Sequence, residues 1–204
     1  MAIDFKKEKI SGRSPEFWRG EAKVLPGGFK PTEDFPLGTV VRRATPLFVD
    51  FEARTAAVCK SALVLDGGTT TKPRVAKGHY FAVGDCLTKS GDCALSPTIS
   101  AIDRTNPAYD EITLSAAYTG LAKDNILMES TEATTGDNAK KAEPLHVPNM
   151  VESADYEFTG KGLPTLDAAY DVVILYKNVP YPLPAEWLAG NFLKANPNIM
   201  FITQ

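Results

Sequence analysis

The side chains of this sequence best placed for covalent chemistry are His79, Asp85 and Cys86. A cysteine attacks as its thiolate, which forms at neutral pH only beside an imidazole or in positive surroundings, so these three would serve as thiol, base and orienter. Their context argues otherwise. His79 and Cys86 stand on either side of the turn signal Gly84-Asp85 within strand-like sequence, where an unpaired cysteine is ordinarily a core residue. Cys59, Cys86 and Cys93 are odd in number and irregularly spaced, which disfavours a disulfide framework. Zinc requires a second close ligand pair, and His79 and His146 are far apart in the chain. All three thiols are therefore read as structural.

Asp103, Asp110, Glu111 and Asp124 are the oxygen ligands a hard cation would need, but they lack the tight acidic repeat of a calcium loop and read as turn carboxylates. Gly27-Gly28 and Gly67-Gly68 are turns, since neither is followed by the Lys-Ser/Thr of a phosphate loop or set in a Gly-x-Gly-x-x-Gly pattern. The aromatic and proline run from Tyr176 through Tyr181 and Pro182 to Trp187 has the composition of a sugar- or peptide-binding strip. Packing under the last helix is the favoured reading, because aromatics in such numbers dominate core energetics. No catalytic, cofactor-binding or metal residue is assigned.

The elements that would position these groups are short strands cut by turns. Residues 1–36 combine Gly12, Pro15, Pro26, Gly27, Gly28 and Pro31 with Phe17, Trp18, Phe29 and Phe35, and read as an extended arm docking on the body or on a neighbouring subunit. Residues 37–130 carry strand phrases about every ten residues: Gly38-Thr-Val-Val-Arg-Arg43, Leu47-Phe-Val-Asp-Phe51, Ala57-Val-Cys-Lys-Ser-Ala-Leu-Val-Leu65, Thr98-Ile-Ser-Ala-Ile102 and Tyr109-Asp-Glu-Ile-Thr-Leu114. That spacing predicts a mainly β body, a barrel or sandwich. Residues 131–154 are polar and read as a linker. In 155–204, a buried strand at Asp171-Val-Val-Ile-Leu-Tyr176, helical spacing over Pro184 to Lys194 and a closing strand at Ile199-Met-Phe-Ile202 predict a small α/β appendage.

Composition restricts the function classes. The chain has 204 residues, of which 44% are hydrophobic and 23% charged, which is close to the globular average. A net charge of -3 argues against nucleic-acid coating, which needs a basic face. The N-terminus has charges where a secretion signal needs an apolar run, and no later stretch approaches the ~20 apolar residues of a membrane span. A protein made and kept in a cytoplasm, or released by lysis, with no membrane partner, is the expectation.

Several phrases together carry a likeness: Gly38-Thr-Val-Val with Ala44-Thr-Pro-Leu47, Phe81-Ala-Val-Gly-Asp85, Ile99-Ser-Ala-Ile-Asp103 with Tyr109-Asp-Glu-Ile-Thr-Leu114, and Asn196-Pro-Asn-Ile-Met-Phe-Ile202. Over most of residues 38 to 204 the chain resembles head fibre and head decoration proteins of tailed bacteriophages and prophages of gut Bacteroidetes. The resemblance implies a structural virion protein of the phage head, seated on the major capsid protein, commonly as a symmetric homo-oligomer with a trimer favoured. It carries over no enzyme activity, catalytic residue or cofactor. The alternative is a carbohydrate-binding module contacting the host surface through exposed aromatics. A cysteine- or metal-dependent hydrolase is a third reading, which a concave site joining His79 to Cys86 would favour.

Overall fold

A computed structural model describes residues 18–25, 28–134 and 139–203. In chain order the first strands are β1 (Trp18–Val24), β2 (Lys30–Pro31), β3 (Val40–Val41), β4 (Pro46–Asp50), β5 (Thr55–Val58), β6 (Ser61–Leu65), β7 (Arg74–Val75) and β8 (Leu87–Lys89). They are followed by β9 (Ile99–Asp103), β10 (Asp110–Leu114), β11 (Ile126–Glu129), β12 (Met150–Glu152), β13 (Tyr156–Glu157), β14 (Ala168–Leu175), β15 (Leu188–Ala189), β16 (Phe192–Leu193) and β17 (Asn196–Ile202). The chain is mainly β, with curled sheets that form half-barrels.

The six-stranded sheet, in the order β8-β11-β6-β7-β10-β9, is built from the phrases that alternate most clearly. In β10, Asp110, Ile112 and Leu114 turn inward while Glu111 and Thr113 are half-buried, the period of two that a pleated strand imposes. Phe81, Leu87, Ile112, Tyr118 and Leu127 pack beneath it. Tyr118 is closed from solvent, and its hydroxyl accepts the Lys89 N–H at 3.0 Å. The turn into β8 depends on Gly84, whose φ of +101° lies in a region that favours glycine.

In the larger sheet β14 is the centre. Ala169 pairs with both Val151 and Val24, and Val173 with both Arg19 and Met200, so β1 takes one edge of β14 while β12 and then β17 share the other. Asn196 sits at the joint, its side-chain amide donating to Asn149 O and Tyr170 O, both at 2.9 Å. Beyond β12 the sheet continues through β4 and β5 to β2. Two further clusters fill this half, one around Phe29, Leu47, Tyr80 and Phe158, the other around Met128, Ile174, Trp187 and Phe201.

Three expectations differ from this architecture. The helix expected over Pro184 to Lys194 is a 3-10 turn, Ala185–Trp187, followed by the hairpin of β15 and β16. Gly190 at φ +63° reverses the chain there, and Phe201 N–H closes on Asn191 O at 2.7 Å, so Trp187 and Leu193 reach the core from a hairpin rather than from one helical face. Strands β14 to β17 lie in the same sheet as β4 and β5, β13 pairs with β3 in a sheet of two, and β12 falls inside the stretch read as a linker. In the stretch read as an arm, residues 18–24 pair with β14, and Phe29 is buried against Leu47 and Leu166. Residues 1–17 lie outside the described residues.

Candidate functional site

A cleft of about 370 Å³ opens between the segment 33–39 and the segment 79–83, with Lys60 and His79 in its lining and Arg104 at its rim. Cross-strand register creates its polar floor. Antiparallel pairing of Met128 with Ser61 brings Glu129 opposite Lys60, and Glu129 N–H donates to Lys60 O at 3.1 Å. The turn at Gly84 then delivers Asp85. Lys60 Nζ donates to Glu129 Oε1 at 2.8 Å and to Asp85 Oδ2 at 3.0 Å, and the Asp85 oxygen also accepts Ala82 N–H at 2.9 Å. Burial by itself lowers the Lys60 ammonium, but the hydrogen bond and charge of Glu129 raise it overall. Burial pushes the Glu129 carboxyl up against the opposing pull of Lys60. A lysine held as a cation has no lone pair with which to attack.

His79 belongs to a second charged group. Its Nδ1 accepts Phe81 N–H at 3.1 Å, which leaves the proton on Nε2, 3.1 Å from Asp110 Oδ2 but off the line of a good hydrogen bond. Lys77 Nζ reaches the other Asp110 oxygen at 2.6 Å. Burial lowers the imidazole well below its ordinary value, outweighing Asp110, so it is neutral at physiological pH. The aromatic wall follows from the same segment: Tyr80 donates its hydroxyl to Val40 O at 3.0 Å and accepts Arg42 N–H at 3.2 Å, tying β3 to the cleft. Phe35 meets Tyr80 edge-on at 5.7 Å and leans on Phe158 at 5.0 Å.

The structure separates the candidate triad. His79 faces Asp110, Asp85 faces Lys60, and the Cys86 thiol lies 3.6 Å from the Thr98 hydroxyl. Cys59 is buried and Cys93 half-buried; burial raises both thiols, aided by Glu129 at Cys59 and Glu186 at Cys93, so neither is a thiolate at neutral pH.

The four carboxylates disperse as well. Asp110 joins His79, Asp103 accepts the Thr105 N–H and hydroxyl, Glu111 lies 3.7 Å from Arg74, and Asp124 occupies a turn at φ +66°. Among the described residues no group of three or more His, Cys, Asp or Glu could hold a metal ion. In the aromatic run, Tyr181 packs on Tyr80 at 4.9 Å and Trp187 is buried, whereas Tyr176 stays exposed beside Phe201.

The role of Lys60 was missed in the sequence, although a lone charge inside Ala57-Val-Cys-Lys-Ser-Ala-Leu-Val-Leu65 is itself a signal. Lys60 lies in the connection between β5 and β6, and a charge buried there needs a buried partner.

A second groove of about 160 Å³ shares the segment 33–35 with the cleft and is lined further on by Leu37, Tyr156, Phe158 and Lys161. Leu37 is 74% exposed and rests on Gly160, where a Cβ would come within 2.9 Å of it, and Leu163 in the same loop is 90% exposed. No known protein family, curated protein or solved structure matches this chain.

Proposed function

We propose that this chain is a non-enzymatic structural virion protein that binds the capsid surface of a tailed-phage head, as decoration or fibre protein. It would be assembled in the bacterial cytoplasm as a homo-oligomer. The observation that carries the docking part is the pair Leu37 and Leu163, two large exposed apolar side chains, the first lining a groove and the second in the loop 159–164 that forms part of its wall. Leaving them exposed forgoes about 1.5–3 kcal/mol per side chain, which association with another protein surface recovers. The dispersal of every residue set considered for catalysis agrees with a surface role. The phage assignment rests on the strand-and-turn phrases of residues 38 to 204.

The test is to mix purified protein with heads of the parent phage that lack it. Saturable, repeating density at symmetry-related capsid positions in electron micrographs is the expected outcome. Bare particles at saturating protein would overturn the assignment.

A further inference from the structure

The cleft above the Lys60 triad has a polarity of its own, unlike that of the groove beside Leu37 with which it shares residues 33–35. An ammonium has three donors. Two of those on Lys60 are taken by Glu129 and Asp85, and the third has no partner among the described residues although the side chain is only 6% exposed and lines the cleft. A buried donor facing a cavity is a specific invitation to an acceptor.

Charge narrows the class of ligand. Lys60 carries +1 against Asp85 and Glu129, and Glu33 and Asp34 line the same cleft, so an anion entering meets more negative than positive charge. A cation would meet Lys60 within and Arg104 at the rim, where Arg104 Nη2 is fixed on Phe81 O at 3.1 Å. An uncharged ligand avoids both penalties. It must accept from an ammonium and donate to carboxylates, which a hydroxyl does on a single atom. It must also present an apolar face to Phe35 and the exposed Val83, and the volume of about 370 Å³ is at the lower end for small-molecule sites. A sugar ring has these properties together, with hydroxyls around its edge and C–H groups on its face.

We propose that this cleft binds an uncharged saccharide, with the third Lys60 N–H as its buried donor, Glu33 and Arg104 as polar contacts at the mouth, and Phe35 and Val83 as the apolar wall. This is a site additional to capsid docking and does not depend on it.

The experiment uses the full chain. Ligand-observed NMR and titration calorimetry are run with glucose, galactose, mannose, N-acetylglucosamine and their disaccharides, with glucuronate, inorganic phosphate and adenosine for comparison. At least one neutral sugar should saturate with a Kd of 10 mM or tighter, on the order of weak single-ring binding, and raising the salt should leave that Kd unchanged because no net charge is exchanged. Ala82→Trp, which fills the mouth from an exposed position, should abolish binding. Arg104→Ala, on a side chain 55% exposed, should weaken it roughly tenfold, measured well below a melting temperature that the lost bond to Phe81 O lowers. The proposal is overturned if no neutral sugar saturates, if Ala82→Trp binds as well as the parent, or if glucuronate, phosphate or adenosine binds more tightly than every neutral sugar. Capsid attachment is scored separately on the same variants and should be unaffected by either.

Discussion

Glu152 is buried to 1%, and its Oε1 accepts N–H groups from Ser153 and Asp167 while its Oε2 has no partner. Burial raises its carboxyl to about 8, against the lowering effect of those N–H groups. The folded chain therefore keeps a proton that the unfolded chain releases above its ordinary value, so this residue makes stability fall as pH rises between those two values. Glu152→Gln should match the parent near pH 5 and exceed it by on the order of 3 kcal/mol above pH 8; urea unfolding across that range measures it.

Lys60→Met should act with the same dependence and the opposite effect. Removing the cation leaves two buried carboxylates, at a cost of about 3–5 kcal/mol near pH 8. The loss should shrink near pH 5, where the Glu129 carboxyl, already pushed up by burial, is protonated.

At the scale of elements, the joint on β14 is the most exacting feature. Two strands follow one another along a single edge, and Asn196 supplies donors to the carbonyls left between them. Asn196→Ala should cost about 1–3 kcal/mol through those carbonyls, and Asn196→Asp should cost more because it turns a carboxylate toward both. Thermal melts of the two variants test the order. Deleting residues 1–35 would remove β1 from the edge of β14 and Phe29 from the core, so the structure predicts unfolding of the body rather than loss of assembly alone.

For the whole molecule, the expectation is association through surface complementarity. Light scattering should give a mass well above 22.1 kDa, with a trimer favoured. Leu163→Asp and Leu37→Asp lie on exposed positions, so each should change stability by no more than about 0.5 kcal/mol while releasing the protein from capsids. Retention on capsids by the double variant would move the docking surface elsewhere.

Local order along the strands was legible in the residues themselves. The alternation of Asp110 to Leu114 and the Gly84-Asp85 turn each depend on side chains within a few positions of one another, and periodicity reads those directly, whereas the Ala57 to Leu65 run is broken at Cys59-Lys60 into β5 and β6 of different sheets. The mainly β class follows from them. The partners of those strands were decided by the tertiary structure. Polar spacing around residues 131–154 hid β12, whose three residues gain strand form only by inserting between β4 and β14. Trp187, Leu188 and Phe192 fit a helical face until Gly190 turns the chain against β17. Lys60 and Glu129 are 69 positions apart, and Asp85 reaches them only through a turn. Such meetings are set by strand register, in which a slip of one residue would send Glu129 to the other face of the sheet, and register comes from the sum of core contacts rather than from any segment by itself.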